Sequence, residues 1–194
     1  MTTLNLTGEL ERLIGHIIRH VPELSHIDPH QLLVCISTTR SGGIHGTYAK
    51  IHPLRFPGGA RATTARRGRR TFTCTMPRVE YLGTEILYII YFLVPRFLNL
   101  PLREKLITVF HELYHVSPQF DGDLRRFPGR NYAHGSSTKR YNAVMGKLVD
   151  RYLHGLDETS HLAFLEGTMD DLRLRHSSIL GRKYPAPRLK VESA

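Results

Sequence analysis

The stretch His111-Glu112-Leu113-Tyr114-His115 decides how the rest of the chain is read. Two histidines four residues apart stand one helical turn apart and project from the same face of a helix. Two neutral imidazoles so placed hold one Zn²⁺ at about 2.0–2.1 Å each. Glu112 then lies beside the ion but rotated off it, where a carboxylate serves as general base and acid on a metal-activated water. Three fixed positions also occur by chance, so the neighbouring residues carry the argument. Asn99-Leu100-Pro101 supplies a helix start, with Asn99 or Leu100 as the cap and Pro101 in the first turn. Leu102, Leu106, Val109, Phe110 and Leu113 recur at helical spacing as a core stripe. His111 and His115 fall roughly opposite that stripe, and Ser117-Pro118 ends the helix.

Working outward, Thr7 to His20 reads as an amphipathic helix capped by Thr7, with Leu10, Leu13, Ile14, Ile17 and Ile18 on its apolar face. Gln31 to Thr39 is a short strand between turn signals, and Gly46 to Phe56 a second one that Pro53 confines to an edge or a bulge. Pro57 to Gly68 has no apolar period, and residues 57–69 read as a mobile basic loop. Arg70 to Met76 alternates as a third strand. The nearly continuous apolar run from Glu85 to Val94 is a central strand buried on both faces. Lys139 to Leu153 and Glu158 to His176 read as two further helices, with Gly155 between them and Asp157 as a cap; residues 181–194 form an irregular tail, in which Arg188 to Val191 has the makings of a strand. The expected architecture is α+β: an N-terminal helix, a small mostly antiparallel sheet, an active-site helix and two C-terminal helices.

A chain of 194 residues with 41% hydrophobic and 23% charged residues suits one soluble globular domain, spanning 1–194, with a real core. The longest apolar run, Ile86 to Val94, is half of a membrane span, so no membrane partner is expected. Met1 to Arg12 lacks a basic segment followed by an apolar one, and Cys35 and Cys74 lie in strand-like runs as free thiols. The expected location is therefore the cytoplasm.

The net charge of +10 is unevenly spread. Between Asp28 and Glu80 there is no acidic residue, yet nine basic ones stand there, so the rest of the chain is nearly neutral. Such asymmetry points to a polyanionic partner or to a solvated loop. Arg61, Arg66, Arg67, Arg69 and Arg70 are the candidate contacts to DNA or RNA.

A catalytic zinc takes three protein ligands and keeps one position open. The third ligand has to follow the helix. His134, in Tyr132-Ala133-His134-Gly135, leads, because it precedes a helix and Gly135 permits the turn back. Asp121 is the rival: His115-x-x-Pro118-x-x-Asp121 mimics metzincin spacing, with Pro118 where a Gly normally stands. Glu158 and Glu166 are candidates from a later helix. An oxyanion donor is to be sought among Tyr132, Tyr141 and the Arg125-Arg126 pair.

Pro95-Arg96-Phe97-Leu98-Asn99-Leu100, Glu104-Lys105-Leu106, His111 to Ser117, Phe120-Asp121-Gly122-Asp123-Leu124-Arg125-Arg126-Phe127 and His134-Gly135 together resemble a metallopeptidase family of phage and bacterial origin. More widely, His-Glu-x-x-His followed after a loop by His-Gly is similar to the SprT-like zincins. The resemblance is close over about residues 81 to 145 and looser from Gln31. It implies a minimal zincin fold, a zinc cofactor and hydrolysis of peptide bonds in protein or peptide substrates. By position it implies His111, His115 and His134 as ligands and Glu112 as catalytic acid/base. The chain departs from many SprT-like proteins in having no cysteines for a C-terminal zinc ribbon, and its basic stretch near residues 55 to 70 is its own. The competing expectation is a nucleic-acid-binding or regulatory protein that keeps the fold without proteolysis. Glu112 favours the enzyme, since a purely structural zinc needs no carboxylate there.

Overall fold

The computed structural model describes residues 2–39, 46–127 and 138–193, the side chains of 138–140 excepted. A short strand, β1 (Thr2–Asn5), leads into helix α1 (Leu6–His20). Asn5, not Thr7, caps this helix, accepting from the Gly8 N–H at 3.1 Å. Thr7 is instead buried, and its hydroxyl accepts the Arg182 N–H at 3.2 Å. The apolar face of α1 is the expected one, with Leu10, Leu13, Ile14, Ile17 and Ile18 all buried. Each such side chain contributes about 1.5–3 kcal/mol by leaving water.

Strands β2 (Leu32–Thr38), β3 (Ala49–Pro53), β4 (Ala62–Arg67), β5 (Arg70–Thr75), β6 (Glu80–Tyr81), β7 (Thr84–Glu85) and β8 (Tyr88–Val94) follow. β8 is central, as its apolar run requires: β2 pairs with it in parallel and β3 antiparallel. One face of this sheet joins the helices in the main core, and the other carries Leu33, Cys35, Ile89 and Tyr91 into a second cluster with Leu54, Val79 and Ile86.

Helix α2 (Leu102–Tyr114) carries the His-Glu-x-x-His residues and packs against β3 and against α3 (Thr138–His154). Asn99 does not cap α2; its Oδ1 accepts the Met169 N–H at 3.1 Å, at the start of α4 (Met169–Arg175). The single helix expected over Glu158 to His176 is divided into a 3-10 segment, Ser160–Leu165, and α4. Gly167 at φ +79° makes the break, and Thr168 with Asp171 forms a reciprocal capping box that restarts the helix.

The C-terminal segment is more ordered than its sequence suggests. β9 (His176–Leu180) pairs in parallel with β1, and β10 (Lys190–Ser193) adds to β5. Between them Ile36 donates its backbone N–H to the Arg182 carbonyl at 2.8 Å, so the tail covers the β2 edge of the central sheet.

The region expected as a mobile basic loop is a 3-10 turn, Pro57–Gly59, followed by strand β4 of a hairpin. β4 pairs antiparallel with β5 through a two-residue turn at Gly68-Arg69. Every residue of β4 is exposed, so no buried face imposes the alternation by which a strand is recognised. No helix among the described residues is long and apolar enough to cross a membrane.

Candidate metal centre and active site

Lys105, Leu106, Val109, Phe110, Glu112 and Leu113 are the buried residues of α2, so the helix is covered on more of its circumference than the apolar stripe implied. His111 is half-buried, and His115 is buried at the C-cap. Their ring centroids are 4.7 Å apart with planes at 74°. Two imidazoles bound to one ion at about 2 Å each have centres about 5 Å apart, so this pair fits a shared metal.

The chain contains a second pair at the same spacing that does not fit. His16 and His20 on α1 stack at 3.9 Å with planes only 16° apart. Lone pairs in parallel planes cannot converge on one ion. The spacing is therefore necessary for a ligand pair, and the ring orientation is what separates the two.

α3 supplies the support behind His111 and His115. Asn142 Oδ1 lies 3.3 Å from His111 Nδ1, an outer contact that orients the ring. The Tyr141 ring packs edge-on to His111 at 4.8 Å and stacks on His115 at 5.5 Å. Its hydroxyl donates to the His111 carbonyl at 3.4 Å, and burial raises its pKa. That backbone contact and its place against both rings make Tyr141 part of the wall.

Glu112 is only 6% exposed. Burial raises its carboxyl pKa to about 7, while the nearby backbone N–H of Ile51 acts in the opposite sense. Ile51 lies on β3, an edge strand. Leu93 donates its N–H to the Tyr48 carbonyl, so residues 48, 50 and 52 face β8 and the polar groups of Ala49 and Ile51 face outward. The outward N–H of Ile51 meets Glu112.

The chain after α2 doubles back as a short hairpin. Val116 bridges Leu124, and Arg125 donates its backbone N–H to the His115 carbonyl at 2.7 Å. The Arg125 Nε donates to the Tyr114 carbonyl at 2.8 Å, with its guanidinium 4.1 Å over the Tyr114 ring. The last carbonyls of the helix are thereby satisfied. Arg126 is bound to Asp123 at 2.9 Å. Tyr88 pins the turn from the central strand, accepting from Gly122 N–H at 2.9 Å and donating to the Asp123 carbonyl at 2.8 Å. Gly122 has φ +86°, and a Cβ there would meet Arg55 Cγ at 2.5 Å.

Asp121 turns its Oδ1 to the Asp123 N–H at 3.1 Å, and Glu158 and Glu166 are exposed. None of the three joins His111 and His115: among the described residues there is no group of three His, Cys, Asp or Glu side chains able to hold a metal. His134 and Tyr132 lie outside the described residues. Ile51 and Asn142 escaped the sequence reading. A backbone donor leaves no residue-type signature, and Asn142 carried only the weak signal of an Asn inside a helical pattern.

Of the five arginines singled out by charge, Arg61 is held by Glu85 at 2.8 Å. Arg66, Arg67, Arg69 and Arg70 stand together at the tip of the β4–β5 hairpin, all exposed.

The fold and site together define the class: an α+β protein whose His-Glu-x-x-His helix lies beside a sheet edge. The model of the family described as "Putative phage metallopeptidase" matches residues 4–151, and the chain belongs to that family. No curated protein and no solved structure matches the chain. Membership makes it a metallopeptidase relative, which implies a metal cofactor and protein or peptide substrates. The match ends within α3, so the 3-10 segment, α4, β9 and β10 lie outside it.

Proposed function

We propose that this chain is a zinc-dependent peptidase in which His111, His115 and His134 hold the metal and Glu112 is the catalytic acid/base. The observation that carries the reading is Glu112: a buried carboxylate that stands in the helix between two suitably oriented imidazoles and faces an N–H turned outward by an edge strand. Imidazole nitrogens suit zinc. Zinc bound there supplies Lewis-acid polarisation of the scissile carbonyl. Glu112 accepts a proton from the attacking water and delivers it to the leaving amide nitrogen as the C–N bond breaks. A carboxylate whose pKa is raised to about 7 is well matched to both transfers.

Substrate binding by strand addition is supported by the state of the two sheet edges. The tail covers β2, whereas β3 turns Ala49 and Ile51 outward beside Glu112. An extended peptide pairing there gains main-chain hydrogen bonds with little demand on its sequence. The SprT-like kinship and a single-domain organisation over 1–194 belong to the same proposal. The test is cleavage of a peptide library by the zinc-loaded chain with and without a chelator. Chelator-sensitive cleavage is expected; cleavage that persists in the metal-free chain overturns the reading.

One observation favours a second reading, a nucleic-acid-binding protein without proteolysis: the four hairpin arginines. It gives no role to Glu112, so cleavage ranks first.

A further inference from the structure

We propose that the β4–β5 hairpin is a prong that binds nucleic acid through its phosphate backbone. Arg66, Arg67, Arg69 and Arg70 fall within five residues at its tip. In the register of the hairpin Arg67 stands directly opposite Arg70, and Arg66 opposite Thr71. Arg67 and Arg70 therefore share one face, Arg66 takes the other and Arg69 occupies the turn. Like charges directly opposite across a strand pair destabilise it. The chain does not relieve that repulsion: among the described residues none of these four guanidiniums forms an ion pair with a carboxylate.

The contrast with the neighbouring basic residues is the second observation. Arg55 and Arg61 share Glu85, and Arg78 is held by Glu80 at 2.6 Å. Basic residues that brace the fold are thus given acidic partners, while those at the tip are left to an external anion. Gly68 at φ +62°, with open space around its Cβ position, lets the turn close tightly without a side chain between the arginines. Guanidinium groups pair with phosphate oxygens in a two-pronged geometry. A two-stranded ribbon is also narrow enough to enter a major groove about 12 Å wide. The prong is far in sequence from the His-Glu-x-x-His helix, and its binding stands or falls independently of peptide hydrolysis.

The experiment is fluorescence anisotropy with a labelled DNA duplex and a labelled single-stranded RNA, over 50 to 200 mM salt. Four phosphate contacts on duplex DNA predict a log–log salt slope of about −3.6, or roughly a hundredfold loss of affinity across that range. The variant with all four arginines replaced by serine should lose that slope at an unfolding midpoint no lower than that of the wild type. The variant with all four replaced by lysine should keep most of it. The relative affinity for the two probes says which nucleic acid supplies the phosphates. The proposal is overturned if the wild-type chain binds neither probe at 50 mM salt, or if the serine variant binds with the wild-type slope. It is equally overturned if poly-glutamate displaces both probes at the concentration of a competing nucleic acid, since the partner is then an acidic polypeptide.

Discussion

The backbone N–H of Ile51, on the edge strand β3, points away from β8 and faces the carboxylate of Glu112 on α2. The contact joins the sheet edge to the catalytic candidate, and it holds the carboxylate at the edge where an added peptide strand would lie. Because this N–H points away from β8, Ile51→Pro removes it without breaking the ladder. A hydrogen bond to a charged group is worth about 1.5–3 kcal/mol, so kcat/KM should fall by about 10- to 100-fold. Ile51→Val, which keeps the donor, should stay close to wild type. Steady-state kinetics of both variants decides the matter, and equal rates would remove Ile51 from the site.

The metal ligands are separable by chelator titration. His111→Ala with His115→Ala should leave no stoichiometric zinc. His134→Ala should weaken retention far more than Asp121→Ala, because Asp121 is engaged with the Asp123 N–H. Release of metal from the Asp121 variant alone would mean that the metzincin-like spacing is the true ligand set.

Lys105, about two turns before Glu112 on the same side of α2, is fully buried and donates to the carbonyls of Leu165 at 2.6 Å and Gly167 at 2.5 Å. It ties α2 to the end of the 3-10 segment. Lys105→Met keeps volume but abandons two carbonyls, and each unsatisfied group costs about 1–3 kcal/mol. Urea unfolding should therefore show a loss of about 2–5 kcal/mol. A midpoint within experimental error of wild type would contradict this.

His16, His20 and His161 form a stack, with ring centres at 3.9 and 4.4 Å, and the Tyr152 hydroxyl lies 2.7 Å from His16 Nδ1 and 3.0 Å from His161 Nε2. Burial first, then the neighbouring His20, lowers the pKa of both His16 and His161. The unfolded imidazoles titrate near about 6.5 and then bind more protons than the folded ones. Stability is thus fully present above that pH and is lost as the pH falls below it. The His16→Gln, His161→Gln double variant should show a shallower loss of melting temperature between about pH 6.5 and 5. A parallel profile in variant and wild type would count against the stack.

Much of this was legible in the residues themselves. The buried face of α1, the central position of β8 and the span of α2 follow from apolar period, because each element buries one stripe or two faces. The hairpin strand β4 was not legible as a strand: it buries nothing, and its Thr, Ala and Arg residues read as a loop. The break at Gly167 is written in Thr168-Met169-Asp170-Asp171, a capping box inside the single helix expected over Glu158 to His176. At the site, the two histidines announced themselves by spacing, but their distinction from His16 and His20 lies in ring orientation, which spacing does not encode. Burial of Glu112 depended on β3, brought against α2 by pairing with a strand forty residues away.

The most direct measurement is hydrolysis by Glu112→Gln, with zinc content determined on the same sample. The substitution removes the proton acceptor and almost no volume, and general acid–base help is worth roughly 10²–10⁴ in rate. The expected result is one zinc per chain, an unchanged unfolding midpoint and cleavage reduced by about that factor. Full zinc occupancy with wild-type turnover would contradict the account, because the chemistry would then not pass through Glu112.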